Sequence, residues 1–194
     1  MLARLLDECG PPQMVRDPSR PGPDDHYGAL LRAIVGQQLS TTAARAIYGR
    51  LVERFGGRTP SPQQLLDDDP EEMRPAVGLS RAKVASLRSL AEHVISGELE
   101  LERVAELPDE ELIAELVAVK GIGVWTAHMF LMFQLERPDV LAVGDLGIRR
   151  AVERAYGLPA LPDADELTAL AEPWRPYRSA ACRLLWHSLD NAPA

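Results

Sequence analysis

Cysteine is nearly absent from this chain. Cys9 and Cys182 are its two copies, too far apart in sequence to form a CxxC zinc site and too few for a four-cysteine iron–sulfur cluster. With 194 residues, a core can be buried without such staples, so the reading is a reducing, cytosolic protein. No apolar run approaches the ~20 residues needed to span a bilayer. The N-terminal "MLARLLDECGPP" is interrupted by Asp7, Glu8 and prolines before a signal-peptide pattern develops, so the expectation is an untargeted cytoplasmic protein with no membrane partner. His26, His93, His128 and His187 form no HExxH or comparable metal spacing. There is no GxxxxGK[ST] loop for a nucleotide cofactor and no GxSxG nucleophile elbow.

Basic charge is also in deficit. The formal net charge is -8, from 21 Lys and Arg against 29 Asp and Glu. That argues against the simplest nucleic-acid binder, whose basic surface releases counterions. The acids are concentrated, however, in "LLDDDPEEM" and "ISGELELERVAELPDEELIAEL", whereas "GLSRAKVASLR", "LGIRRAVER" and "WRPYRSAACR" are locally basic. One positive face on an acidic body fits this pattern, with weak and strongly salt-dependent DNA binding.

What is present is helical periodicity. Apolar residues recur at Tyr27, Leu30, Leu31, Ile34 and Val35; at Ile47, Tyr48, Leu51, Val52 and Phe55; and at Val84, Leu87, Leu90, Ala91, Val94 and Ile95. Strand-like alternation is scarce. Asp24 or Asp25, Ser40, Ser80 and Asp163 suit N-caps, and Gly56, Gly97 and Gly157 suit helix ends. The spacing predicts an all-α fold of about nine to eleven short helices. "CGPPQMVRDPSRPGPDD" and "LERPDVLAVGD" read as crossings between two lobes. The expected division is a central lobe over residues 25–136 and a second lobe from residues 1–24 plus 137–194.

Chemistry concentrates around Gly121-Ile-Gly123-Val-Trp125-Thr126-Ala127. A Gly-x-Gly turn opening a helix leaves amide N–H groups without intrahelical acceptors, and the helix dipole adds positive potential there, so an anion can be held without Lys or Arg. An αα-corner stopped by glycine would read similarly. Lys120 before the turn and Trp125 after it bring a cation and an aromatic to the same helix start. The hairpin is expected over about residues 108–135, and "PAVGLSRAKVASLRSLA" is a weaker echo of it. Asp145 in "VGDLGIRR" suits an N-cap for a helix carrying Arg149 and Arg150, and a carboxylate there can also act chemically.

Four stretches in this order, "AIVGQQLS", "GLSRAK", "GIGVWTA" and "VGDLGIRR", resemble the helix-hairpin-helix (HhH-GPD) DNA glycosylase superfamily, and within it the 3-methyladenine DNA glycosylase II family. The resemblance runs from about Tyr27 to Trp186. It implies two α-helical lobes with damaged double-stranded DNA across an interlobe cleft, and a monomer. It further implies a phosphate held by the amides of Gly121, Gly123 and Thr126, and a monovalent Na or K ion on the carbonyls of Val117, Val119 and Ile122, with no other cofactor required.

Asp145 is the catalytic residue the resemblance implies. N-glycosidic cleavage passes through an oxocarbenium-like sugar that a nearby anion stabilises, and a purine alkylated at N3 or N7 already departs as a neutral base without a strong general acid. The lyase branch carries a catalytic lysine at the position of Trp125; tryptophan cannot form a Schiff base, so a monofunctional hydrolase is expected. Lys120, on the other arm, does not match that position. Trp125 and Trp186 can stack on a flipped, electron-poor base, and Met129, His128 and Tyr27 are assigned to the same pocket. Met129 stands where a relative has a further aromatic, which leaves substrate range open. Gln38 matches the side chain that fills the gap left by the flipped nucleotide, with Gln37 in support; capping or bridging between helices is the competing reading. Ser80 and Lys83 would contact phosphate or organise a helix start, and Lys120 and Arg149 complete the expected DNA contacts. A glycosylase for uracil or deaminated bases, or a non-catalytic DNA-binding module, also fits parts of the pattern.

Overall fold

A computed structural model describes residues 1–11 and 25–190. Among them every regular element is helical. The α-helices are α1 Leu2–Cys9, α2 His26–Gly36, α3 Thr41–Arg54, α4 Pro62–Asp67, α5 Pro70–Val77, α6 Arg81–Ser96, α7 Asp109–Ala118, α8 Val124–Phe133, α9 Leu146–Tyr156, α10 Ala164–Ala171 and α11 Arg178–Asp190, with a 3-10 turn at Glu172–Trp174. The all-α expectation and its helix number are met.

Local sequence sets most helix ends. Asp25, Ser40, Ser80 and Asp163 each accept a first-turn N–H, as the sequence suggests, and so do Ser61, Asp69 and Asp145. Asp24 lies outside the described residues. Such caps satisfy a donor the helix cannot, worth ~1 kcal/mol each. Gly78, Gly97 and Gly157 stop α5, α6 and α9 in the left-handed conformation.

The chain divides into two compact units, Pro21–Phe130 and Met1–Arg20 with Leu131–Ala194. The division falls inside α8, at Phe130 and ahead of "LERPDVLAVGD", whereas the expected boundary followed residue 136. The earlier proline-rich crossing lies largely outside the described residues.

In Pro21–Phe130 the buried faces of α2 (Leu30, Leu31, Ile34), α5 (Met73, Val77), α6 (Leu87, Leu90) and α7 (Leu112, Leu116) form the core. Ile95 lies half exposed at the end of α6, outside it. In the other unit α9 packs on α11, with Ile148 and Val152 of α9 and Cys182 and Leu185 of α11 buried, and α1 also packs on α11. Two α11 residues tether the segment that leads to Asp145. Arg178 Nε and Nη2 donate to Asp139 Oδ1 and Oδ2 at 2.7 and 3.0 Å, and Ser179 Oγ accepts from Val140 N at 3.0 Å while donating to Arg137 O at 2.6 Å. Burial would raise the Asp139 carboxyl, but the Arg178 hydrogen bonds and the charges of Arg178 and Arg175 hold it below its ordinary value.

Candidate active site and nucleic-acid interface

Helix α7 ends at Ala118, and the chain reverses through five residues before α8 begins. Val119 N donates to Leu116 O, Lys120 N to Ser89 Oγ at 3.1 Å, and Ile122 N to Val119 O at 3.0 Å. Ala127 N then donates to Gly123 O at 3.0 Å, which starts α8. The helix-hairpin-helix expected over 108–135 is this element.

The two glycines of the turn have different causes. Gly121 has φ +86°, and a Cβ there would collide with the Ser86 side chain, whose Cβ would be 2.9 Å away. The fold itself demands glycine at that position. Gly123 is outside the positive-φ region, and a Cβ added to it meets nothing within 4 Å. Its missing side chain leaves open space beside the first turn of α8.

The hairpin is braced by α2 and α6. Gln37 Nε2 donates to Gly121 O at 2.8 Å and to Thr126 Oγ1 at 3.4 Å. Lys83 Nζ donates to Val35 O at 2.6 Å and Gln37 O at 2.9 Å. Lys83, expected against phosphate, instead satisfies carbonyls at the end of α2 that have no helical donor, and its burial lowers the ammonium's pKa. Gln37 takes the bridging role. Ser80 Oγ accepts from Lys83 N at 3.2 Å and so organises the start of α6, the second of its two expected roles.

Gln38 follows directly and is exposed, with φ +57° in a turn closed by Leu39 N to Gly36 O at 3.2 Å. With Gln37 at φ -52°, ψ 132°, this is type II turn geometry, in which glycine is the usual residue at the Gln38 position. The chain keeps a strained glutamine there.

The remaining sequence candidates of this unit differ in exposure. Trp125 is 47% exposed, which removes it from the core, while Met129 and His128 are half-buried and Lys120 is exposed. Burial pushes the His128 imidazole below its ordinary pKa, partly opposed by Asp109. Tyr27 is buried, and no hydrogen-bond partner among the described residues reaches its hydroxyl, whose ionisation is pushed up by burial. Thr126, Val119 and Ile122 are buried and Val117 is partly exposed.

Asp145 caps α9 in the other unit. Its Oδ1 accepts from Ile148 N at 2.8 Å and from Trp186 Nε1 at 2.9 Å. The Trp186 indole stacks on Phe133, centroids 5.9 Å apart and planes at 25°, and the Arg183 guanidinium lies 4.7 Å from the Phe133 ring centroid. Arg183 Nη2 is itself anchored on Met132 O at 2.6 Å. A Cβ on Gly147 would lie 3.0 Å from Asp145 Oδ1 and 3.2 and 3.3 Å from Trp186 Cδ1 and Nε1. Arg149, expected on DNA, donates its Nε to Pro162 O at 2.7 Å and holds the loop before α10.

Residues 31–176 match the model of the HhH-GPD superfamily of base excision DNA repair proteins. The chain belongs to that superfamily. It is 41% identical to DNA-3-methyladenine glycosylase 1 of Schizosaccharomyces pombe over 82% of this chain and 71% of that protein. It is 28% identical to DNA-3-methyladenine glycosylase 2 of Escherichia coli over 87% of this chain and 59% of that one. Among solved structures, the S. pombe 3-methyladenine DNA glycosylase in complex with abasic DNA aligns at TM-score 0.82 and 36% identity, over 98% of this chain and 91% of that chain. A DNA-3-methyladenine glycosidase from Bacillus halodurans aligns at TM-score 0.84 and 37% identity, over 96% and 83%.

In this HhH-GPD chain the four recognised stretches all fall at helix termini: the end of α2, the α5–α6 turn, the α7–α8 turn and the start of α9. Three residues of the Asp145 neighbourhood escaped the sequence reading: Gly147, Phe133, and Trp186 in its role as a hydrogen-bond donor. Gly147 carried a signal, since a glycine in the first turn of a capped amphipathic helix lowers propensity for no local reason. The Trp186 contact joins positions 41 apart and leaves no local trace.

Proposed function

We propose that this HhH-GPD protein is a monofunctional DNA glycosylase that flips alkylated purines, of the 3-methyladenine and 7-methylguanine type, out of damaged duplex DNA. It hydrolyses the N-glycosidic bond and leaves an abasic site in an intact strand. The observation that carries this reading is Asp145, a half-buried carboxylate fixed by a helix amide and an indole N–H in a chain with relatives named DNA-3-methyladenine glycosylases.

The chemistry needs little else. As the cationic base departs, positive charge develops on the sugar, and the fixed carboxylate of Asp145 stabilises it and orients water. Fixing the carboxylate beforehand avoids reorganisation at the moment of reaction. Trp125 occupies the position of the lyase lysine and has no amine for a Schiff base, so strand cleavage is not expected. The exposed Trp125 ring supplies a face for stacking on a cationic base, at roughly 0.5–2 kcal/mol per contact.

DNA is held through backbone rather than charge. The first turn of α8 offers amides and the positive end of a helix dipole, and the open space at Gly123 admits a phosphate. Gln38 enters the gap left by the flipped nucleotide. The carbonyls of Val117, Val119 and Ile122 suit a Na or K ion: they cluster around the end of α7, all are neutral oxygen donors, and Val119 O, which accepts from Ile122 N, keeps a second lone pair. Such an ion would screen the negative end of α7 and attract phosphate. Among the described residues no group of three or more His, Cys, Asp or Glu stands together as an alternative metal site. We further infer that the protein acts as a monomer in the compartment that holds the chromosomal DNA.

A panel of duplexes, each with one lesion, tests the substrate. Release of 7-methylguanine and 3-methyladenine with an intact strand is expected. Efficient removal of uracil or hypoxanthine with no methylated base released would refute it, and a borohydride-trapped adduct would refute the monofunctional reading.

A further inference from the structure

Trp186 sits against Asp145 in an orientation that stacking on a base does not require. Its Nε1–H is aimed along 2.9 Å at the same Oδ1 that receives the Ile148 amide. The two donors come from different helices, α11 and α9, so this oxygen is fixed from two directions, whereas an N-cap bond alone ties a carboxylate only to its own helix. The indole cannot easily tilt away. Phe133 lies against its ring at 25°, and Arg183, held on Met132 O, lies against Phe133 in turn.

Gly147 completes the arrangement. Its Cβ would stand 3.0 Å from Oδ1 and 3.2–3.3 Å from the indole edge, tighter than nearly all real side-chain contacts, so any other residue requires the carboxylate or the indole to give by a few tenths of an ångström. Its φ is not positive, so the backbone does not call for glycine. Helix propensity favours alanine there, and the three side-chain atoms nearest to that Cβ belong to Asp145 and Trp186.

We infer that Trp186 is a positioning residue for Asp145, acting through its indole N–H, and that Gly147 is the space that permits the contact. This rests on the reading of Asp145 as the catalytic carboxylate. The sequence suggested a stacking role for the Trp186 face; the geometry assigns the function to its edge.

The test replaces Trp186 by 3-benzothienylalanine in the full-length protein, which keeps ring size and stacking but has sulfur where the N–H was. Gly147→Ala is made in parallel, with Asp145→Asn as reference. Single-turnover release of 7-methylguanine and affinity for duplex DNA carrying a tetrahydrofuran abasic site are measured separately, with Tm alongside. Loss of a hydrogen bond to a charged group predicts a rate lower by about ten- to hundredfold in both variants. Affinity should stay within about twofold, the signature of an interaction acting on the chemical step. In Gly147→Ala the better helix propensity of alanine and the few tenths of an ångström that Asp145 and Trp186 must give act on Tm in opposite directions, so the rate is read against the measured Tm. A wild-type rate in the benzothienylalanine protein would overturn the inference, as would reduced affinity with an unchanged chemical rate, which would make the ring a stacking platform. Full activity in Asp145→Asn would instead overturn the reading of Asp145 itself.

Discussion

The two hairpin glycines should respond in opposite ways to alanine. At Gly121 the new side chain adopts φ +86° and meets Ser86. The left-handed conformation costs ~1–2 kcal/mol, and overpacking against a buried neighbour adds ~1–3 kcal/mol. The lower entropy of the unfolded chain returns ~0.4–1 kcal/mol. Gly121→Ala is therefore expected to destabilise by about 2–4 kcal/mol. Adding Ser86→Ala should recover only part, since the Ser86 Cβ remains 2.9 Å from the new methyl group. At Gly123 there is neither positive φ nor a neighbour, so Gly123→Ala should fold with stability within ~0.5 kcal/mol of wild type. Its methyl group would stand where the phosphate approaches the α8 amides, and DNA affinity should fall about tenfold. Urea unfolding and fluorescence anisotropy with a duplex carrying an abasic-site analogue measure the two effects. Undiminished affinity in Gly123→Ala would refute the clamp, and wild-type stability in Gly121→Ala would refute the close approach to Ser86.

Other perturbations separate bracing from binding. Gln38→Gly relieves the strained φ of +57° and should leave stability unchanged or raised by up to ~1 kcal/mol, while excision slows because the gap-filling side chain is lost; marked destabilisation in urea would mark Gln38 as structural. Lys83→Met removes two hydrogen bonds to carbonyls and should cost about 2–3 kcal/mol, with the salt slope of DNA binding unchanged; a slope shallower by ~0.9 would put Lys83 back on a phosphate. The Asp139 carboxyl is held below its ordinary value in the fold, so its contribution is complete above about pH 4 and disappears as pH falls through the lower folded value. Unfolding titrations of Asp139→Asn should accordingly show reduced stability at pH 7 and a smaller further loss into acid, and curves parallel to wild type would contradict this.

Much of the molecule was legible because its decisive features are local. The helix periods, the caps at Ser40, Ser80 and Asp163, and the glycine stops at Gly97 and Gly157 are each written within a few residues. The hairpin was legible for the same reason, a glycine turn followed at once by a helix. What the sequence did not yield is how charged side chains are used. Lys83 and Arg149 each look like a free cation beside a DNA motif, yet each bonds a carbonyl, at Val35 and Pro162 respectively, because a helix end or loop left that acceptor without a donor. The roles of Trp186 and Gly147 depend on α9 and α11 coming together, a tertiary fact that no spacing rule contains. Gln37 shows the intermediate case: the sequence offered bridging or DNA contact, and its bonds to Gly121 and Thr126 make the bridge visible.

The central claim is that Asp145 drives hydrolytic release of an alkylated purine. Its most direct test is single-turnover release of 7-methylguanine from a defined duplex by wild type and by Asp145→Asn, with binding to the same duplex measured in parallel. The account predicts free base and an uncleaved abasic strand from wild type, and release slower by at least about a hundredfold from Asp145→Asn at near-normal affinity. Equal rates from the two proteins would contradict it.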